Sequence, residues 1–486
     1  MLIIFFKMGY KVIFLSLFFQ VSYFVNGQWT QIGSTIEGIS DYDKFGFSIS
    51  LDADGDIMAI GSPNSSNGIG EINVYKFTSG NWVQHGTSIV GIGTDENFGY
   101  SVSLSSDGNI LAVGVKGGLS PMNQGNNGNV RVYTFNGSDW DQLGLTIGTI
   151  QNALNVDEFG HSVSLSSDGS IIAIGAPSGG DPDPGFANVY TYDGVNWVQL
   201  GTEIWGPLAG NTGSSVSLND NGDIIAIGAP SASTGGDSEN GLVKVYNYIG
   251  SNWVQIGSDI TLSGVDDFGH SVSLNSNGNI IAISGLVAGE DYSSIRQVYE
   301  YDGSNWIQMG DDIIDESFNN LGFEVSLSAT GHTLACTGSN TLLEEPKVEI
   351  YSYNGLDWVL IGSEITGDVG GMVSISAQGN RIACGNIFPN NMTGHVSVFE
   401  FIESVGLVEE TGHIIFPNPV TNVLNIDLMD KSTYNLYSVL GKESVQSGYL
   451  QQGKNTLNLS YLDKGVYFLK IGSQQGNIVT KRVIKQ

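Results

Sequence analysis

The chain has 486 residues, 41% of them apolar and 10% aromatic, enough to fill more than one hydrophobic core, which excludes a disordered protein. A net charge of −31 with only 18 Lys and Arg excludes binding to nucleic-acid phosphates and direct binding to anionic lipid. Its 67 glycines, 14% charged residues and many short runs of Val, Ile, Thr and Tyr predict an all-β chain.

Residues 1–27 read as a signal peptide, with Lys7 and Lys11, no acid, an apolar run from Val12 to Phe19 that continues to Val25, and a small residue at Gly27. The run is shorter than the roughly 20 apolar residues a membrane-spanning helix needs, so the segment is expected to be removed and the product not to insert in a membrane. Met8 is an alternative start to Met1, because the segment from Met8 to Gly27 already holds the whole pattern.

Residues 28–404 are a tandem repeat. Trp29, Trp82, Trp140, Trp197, Trp253, Trp306 and Trp358 recur every 52 to 58 residues, most of them opening a segment like WVQIG. Next comes FGFSISL from Phe45, FGYSVSL from Phe98 and FGHSVSL from Phe159 and Phe268, with weaker copies from Thr212, Leu321 and Gly370. A third segment follows, as in IIAIGAP from Ile171 and Ile224, and then a fourth, as in VRVYTF from Val130.

These segments alternate with the period of a strand. AspGly or AsnGly pairs between the second and third, such as Asp54 and Gly55 or Asn221 and Gly222, predict two-residue hairpins. Each unit is then a four-stranded meander, and seven units predict a seven-bladed β-propeller with the serine-bearing strand innermost and the Trp strand outermost. The Trp29 strand has no unit before it, and the last unit, ending at residue 401, has no Trp strand after it. The first strand is therefore expected to complete the seventh blade in a 1+3 closure that removes free edges.

The repeats resemble FG-GAP repeats of integrin-type propellers, with Phe159 and Gly160 as the FG and Gly175, Ala176 and Pro177 as the GAP. Many members of that family hold Ca2+ in an Asp-rich loop between those strands. Here the loop is as short as SerSerAspGly, too short for the six or more oxygens of a calcium site. No cofactor is expected, and Asp52, Asp54 and Asp56 make the nearest approach to a cation site. Cys336 and Cys384 occupy one repeat position in adjacent units, about 10 Å apart if the sheets pack face to face, beyond disulfide reach. Two buried free thiols are expected.

A linker at 405–414 leads to a tail at 415–486. Its alternating residues Leu424, Ile426 and Leu428, with turns at AsnPro, GlyLys and AspLysGly, predict a small Ig-like β-sandwich. The tail resembles the type A C-terminal sorting domain of type IX secretion substrates of Bacteroidetes. The resemblance runs through Phe416, Pro417, Asn418 and Pro419, then Gly441, Gly465, and the basic end at Lys481 and Arg482. It implies a partnership with the type IX secretion machinery, passage through periplasm and outer membrane, removal of the tail, and surface attachment or release.

No nucleophile elbow, P-loop or metal-spaced histidine pair is present, so no catalytic residue is expected. His161 and His270 stand where other repeats have Phe47, Tyr100 and Phe323, which predicts packing. Asp43, Glu96, Asp157, Asp266 and Asp368 precede the FG strand by two places and are expected on one face of the propeller. There they would either gather a cation or basic partner by their summed field or, the favoured reading, cap the turn into the strand. Trp205, outside the repeat, is read as structural, with sugar stacking as the other reading. The chain is thus expected to be an exported binding or adhesion module for an extracellular protein or glycan. The alternative is a secreted polysaccharide hydrolase with paired loop carboxylates.

Overall fold

A computed structural model describes residues 27–93, 95–117, 128–148, 157–180, 184–233, 240–287, 293–315, 324–338, 346–367, 369–387, 392–403, 414–416, 420–428, 431–438, 444–473 and 478–485. The protein is all-β, built of many small antiparallel sheets. It divides into a compact unit of Gly27–Ile402 and a second that takes in Glu403–Gln486. Of the expected signal peptide 1–27 only Gly27, and of the expected linker 405–414 only Ile414, lies within the described residues.

Among the described residues, the first unit holds seven sheets. The first runs Ser48–Leu51, Ile57–Ser62, Glu71–Thr78 and Asn81–Gln84 in chain order. The first strands of the next five are Phe98–Leu104, Ser162–Leu165, Ser215–Leu218, Val272–Leu274 and Val325–Leu327. The seventh sheet joins Met372–Ile375, Arg381–Asn386 and His395–Glu403 to Gly27–Gln31 from the start of the chain.

The apolar cores lie between successive sheets, because each sheet buries both faces against a neighbour. Ile57, Ala59, Ile72 and Val74 of the first sheet pack with Phe98, Leu104, Leu111 and Val113 of the second. Phe45, Ile49, Met58 and Ile60 pack with Ala383, Val396 and Val398 of the seventh. Two sets of hydrogen bonds follow the same cyclic order. Leu104 N–H donates to Ser50 Oγ, and the pairs Leu165–Ser103, Leu218–Ser164, Leu274–Ser217, Leu327–Ser273, Ile375–Ser326 and Leu51–Ser374 repeat the bond at 2.9–3.2 Å. In backbone, Ala53 N–H donates to Ser106 O, Ser106 to Ser167, Ser167 to Asp220, Asp220 to Ser276, Ser276 to Ala329, Ala329 to Ala377, and Ala377 back to Ala53. Edge amides that would otherwise be unpaired are thus satisfied by the neighbouring sheet.

The FG and GAP glycines answer to one close approach. A Cβ on Gly61 would lie 2.2 Å from Gly99 O, and one on Gly175 would lie 2.0 Å from Gly213 O, so a side chain at either would push adjacent sheets apart. The Trp strands lie farthest from this contact. Each indole N–H reaches back to a carbonyl of the preceding sheet: Trp82 to Ile32, Trp140 to His85, Trp197 to Leu143, Trp253 to Leu200, Trp306 to Ile256, Trp358 to Met309 and Trp29 to Ile361.

Two sequence expectations need correction. The loops after the first strands are five-residue loops, not two-residue hairpins. In the first, Gly55 N–H bonds to Asp52 O at 3.1 Å, and Gly55 has φ +68° while Asp54 is not left-handed. This is a type I turn with Asp, Ser or Asn at its first position and Gly at its fourth. The register of the seventh repeat is also shifted by one. Because Leu51 N–H bonds to Ser374 Oγ, Val369, not Gly370, stands where Phe45 does in the first repeat, and it is buried as that Phe is.

Cys336 and Cys384 are buried free thiols, both pushed up to about 12 by burial. In the second unit, Ile414–Phe416, Val423–Leu428 and Gly453–Asn458 form one sheet, which starts one residue before the expected start of the tail at 415. Ser444–Leu450, Ser432–Ser438, Gly465–Ser473 and Ile478–Lys485 form another. Leu424, Ile426 and Leu457 of the first sheet share a core with Leu436, Leu469 and Val483 of the second. Phe416 pairs with Asn425, Gly465 with Lys485, Lys481 with Leu469 and Arg482 with Phe468. Pro417, Asn418, Pro419 and Gly441 lie outside the described residues.

Candidate functional site

The first strands of all seven sheets line one cavity of about 650 Å³. The residue after the FG glycine projects into it, and there Phe47, Tyr100, His161, Ser214, His270 and Gly371 succeed one another; Phe323 lies outside the described residues. Phe47 and Tyr100 have ring centres 4.9 Å apart, and Tyr100 and His161 5.1 Å apart, making an aromatic arc across three sheets. His161 Nδ1 is 3.3 Å from Glu158 Oε2, and Lys116 Nζ is 3.3 Å from Glu158 Oε1 and 4.7 Å from the Tyr100 ring centre. Burial holds His161 below the usual histidine range, against the pull of Glu158, so it is neutral at pH 7. Both histidines therefore form cavity wall, a position the sequence reading treated as packing.

The next residue along each strand is serine in five repeats, and its hydroxyl is already used. Ser48, Ser101, Ser162 and Ser215 each donate at 2.8 Å to the FG glycine carbonyl of the following sheet, at Gly99, Gly160, Gly213 and Gly269. The sixth repeat departs from this pattern with Glu324. Ser271 Oγ donates to Glu324 Oε2 at 3.0 Å, and burial raises this carboxyl above the usual glutamate range against the lowering effects of His270 and the Ser271 bond. Among the described residues that line the cavity, Glu324 is the one carboxylate, and no Lys or Arg lines it. The sequence signal was present in LGFEVSL, where Glu replaces Ser, but it reads as a weak repeat copy until the strand is seen to face a cavity.

The five acids singled out in sequence do not converge there. None of the four described ones lines the cavity. Asp43 accepts from Ser40 N–H at 3.2 Å and caps its own turn, with burial holding its carboxyl above the usual range. Glu96 is buried in a two-pronged pair with Arg131, at 3.0 and 2.8 Å. Asp157 is buried, and Asp266 is half-buried in a strand opposite Leu286. Asp368 lies outside the described residues, and the corrected register puts it one place before the FG-equivalent Val369, not two.

Asp52 is likewise a turn residue. Its Oδ1 accepts from Asp56 N–H at 2.8 Å and Ile57 N–H at 3.0 Å. In other repeats Ser105, Ser166, Asn219, Asn275, Ser328 and Ser376 accept the equivalent amide. Among the described residues no group of three or more His, Cys, Asp or Glu is placed to hold a metal ion, Asp52, Asp54 and Asp56 included. Burial pushes Asp52 up to about 6. A carboxyl whose folded value exceeds its unfolded one, about 3.9, binds more protons when folded, so its contribution to stability falls as pH rises from about 4 to 6 and stays low above that. Asp52→Asn keeps the acceptor without the charge. It is expected to stabilise the protein by about 1 kcal/mol at pH 7 after solvent screening, with the gain vanishing below about pH 4 in urea titrations. An equal gain at both pH values would refute this account.

Trp205 is about half exposed, with its ring 5.0 Å from Phe186, so one face is held by the sheet and the other is open.

The profile of a secretion system C-terminal sorting domain matches residues 414–486. That domain marks the chain as a protein exported to the cell surface or beyond by type IX secretion, and no helix among the described residues is long and apolar enough to cross a membrane. No curated protein matches the chain. Among solved structures, hydrazine synthase of Kuenenia stuttgartiensis is similar at a TM-score of 0.48 and 14% identity, over 77% of this chain and 98% of that one.

Proposed function

We propose that Gly27–Ile402 is a seven-bladed β-propeller of FG-GAP type, completed by the N-terminal strand, and that it acts outside the cell as a binding or adhesion module for a protein or glycan ligand. The hydrogen-bond cycle through Ala53 and Ala377 and the fit between FG and GAP glycines support the architecture. The sorting tail supplies delivery through the type IX machinery.

The observation that carries the binding reading is the cavity. Its wall repeats one scaffold position, yet Tyr100, His161, His270 and Glu324 replace that repetition with unlike groups. A scaffold alone gives no reason for such a break in symmetry, whereas a seat for an asymmetric ligand does. Hydrolysis of a polysaccharide needs two carboxylates about 5–10 Å apart around the scissile bond, and the described lining supplies one. The test exposes the purified protein to glycan arrays, extracellular-matrix proteins and a panel of polysaccharides. Binding without turnover, weakened about tenfold by Tyr100→Ala, is the expected result, and turnover of any polysaccharide would overturn the reading.

A further inference from the structure

We propose that the central cavity binds a cationic group, an ammonium or guanidinium, with Glu324 as its counter-charge and the arc of Phe47, Tyr100 and His161 as its aromatic wall. This deepens the binding reading above and rests on it.

A neutral sugar is held by many donors and acceptors, but here the serine hydroxyls already donate within the wall: four to the neighbouring FG carbonyls, Ser214 to Asn211 O at 2.8 Å and Ser271 to Glu324. Beside them the lining holds the polar side chains of Tyr100, His161, His270, Asn386 and Glu324. Of these Glu324 is an ionisable acceptor in a poorly hydrated place, where a carboxylate gains most from a cation that brings its own donors. Two rings of the arc already attract cations in this protein, since Lys116 sits over Tyr100 and Lys44 lies 5.6 Å from the Phe47 ring centre. Neither lysine lines the cavity. The net charge of −31 adds a long-range field that concentrates cations and repels anions. The chemistry is shared by a free small amine and by the Lys or Arg side chain of a partner protein.

The experiment is calorimetric titration of the purified full chain with butylamine, butylguanidine and a glycine-flanked arginine pentapeptide, against butanol and glucose as neutral controls. Glu324→Ser places the residue that five other repeats carry, so it is the variant least disturbing to the fold, and Glu324→Gln keeps shape without charge. The cations are expected to bind about tenfold or more tighter than the neutral controls, and both variants to lose that preference while unfolding at no lower temperature than the parent. Butylamine bound without the peptide would identify a free small ligand; peptide bound as well as or better than butylamine would identify a protein side chain. Variants that bind cations like the parent, neutral controls that match the amines, or no cation binding at millimolar concentration would each overturn the assignment. Glucose or an array glycan bound equally by parent and Glu324→Ser would overturn the ligand class alone and leave the binding module standing.

Discussion

Arg131→Met is expected to destabilise the protein by about 3–5 kcal/mol, because it leaves Glu96 charged, buried and without its counter-ion. Both side chains are about 5% exposed, both guanidinium nitrogens engage the carboxylate, and Ile92 N–H adds a third bond at 2.6 Å. Arg131 also lies over the Phe98 ring, 5.3 Å from its centre, so the pair joins the loop before the FG strand to the core between sheets. The double variant Glu96→Gln with Arg131→Met removes both charges and is expected to recover most of the loss. Urea denaturation of the three proteins measures this, and a double variant no more stable than Arg131→Met alone would sink the explanation. The outcome also decides the fate of one sequence hypothesis, since a Glu96 committed to Arg131 is not free to serve a ligand.

Trp29→Ala is expected to cost about 3–5 kcal/mol, the range for truncating a large buried aromatic. Trp29 is 8% exposed, packs tilted against Phe401 with ring centres 5.1 Å apart and donates to Ile361 O, so it ties Gly27–Gln31 to the sixth sheet and to the His395–Glu403 strand of the seventh. The loss should come with faster protease cleavage near the N-terminal strand, because Gly27–Gln31 pairs with His395–Glu403 along one edge only. A change below about 1 kcal/mol would mean that this strand does not hold the seventh sheet in place.

Much of the fold was legible in sequence because its constraints are periodic. Trp29 to Trp358 mark one strand per sheet, and the FG and GAP glycines mark a recurring place where no Cβ fits between sheets. What escaped was of two kinds. The AspGly pairs suggest tight hairpins, but the bond from Gly55 N–H to Asp52 O shows that the residue two places earlier opens the turn, a fact local propensity does not carry. The seventh repeat lacks a phenylalanine, so matching its Gly370 to an FG pair is off by one, and only the Ser374 bond to Leu51 fixes the register. The site was harder still. Recurrence pointed to Asp43, Glu96, Asp157 and Asp266, yet recurrence is what structural roles produce, as the Ser40 cap and the Arg131 pair illustrate. The informative residues were the exceptions, Glu324 among serines and two histidines among aromatics, and their meaning needed the cavity they share.

The hydrogen bonds running from Ala53 through Ser106, Ser167, Asp220, Ser276 and Ala329 to Ala377 and back have a consequence for survival outside a cell. A linear stack of repeats frays from its termini, where the outermost unit is held on one side only. In the propeller proposed above every sheet has two neighbours, so peeling any one away breaks two contacts at once, and no unit is the weak first step. Opening therefore requires a larger, rarer fluctuation than loss of a terminal repeat, which starves extracellular proteases of the partly unfolded chains they cut.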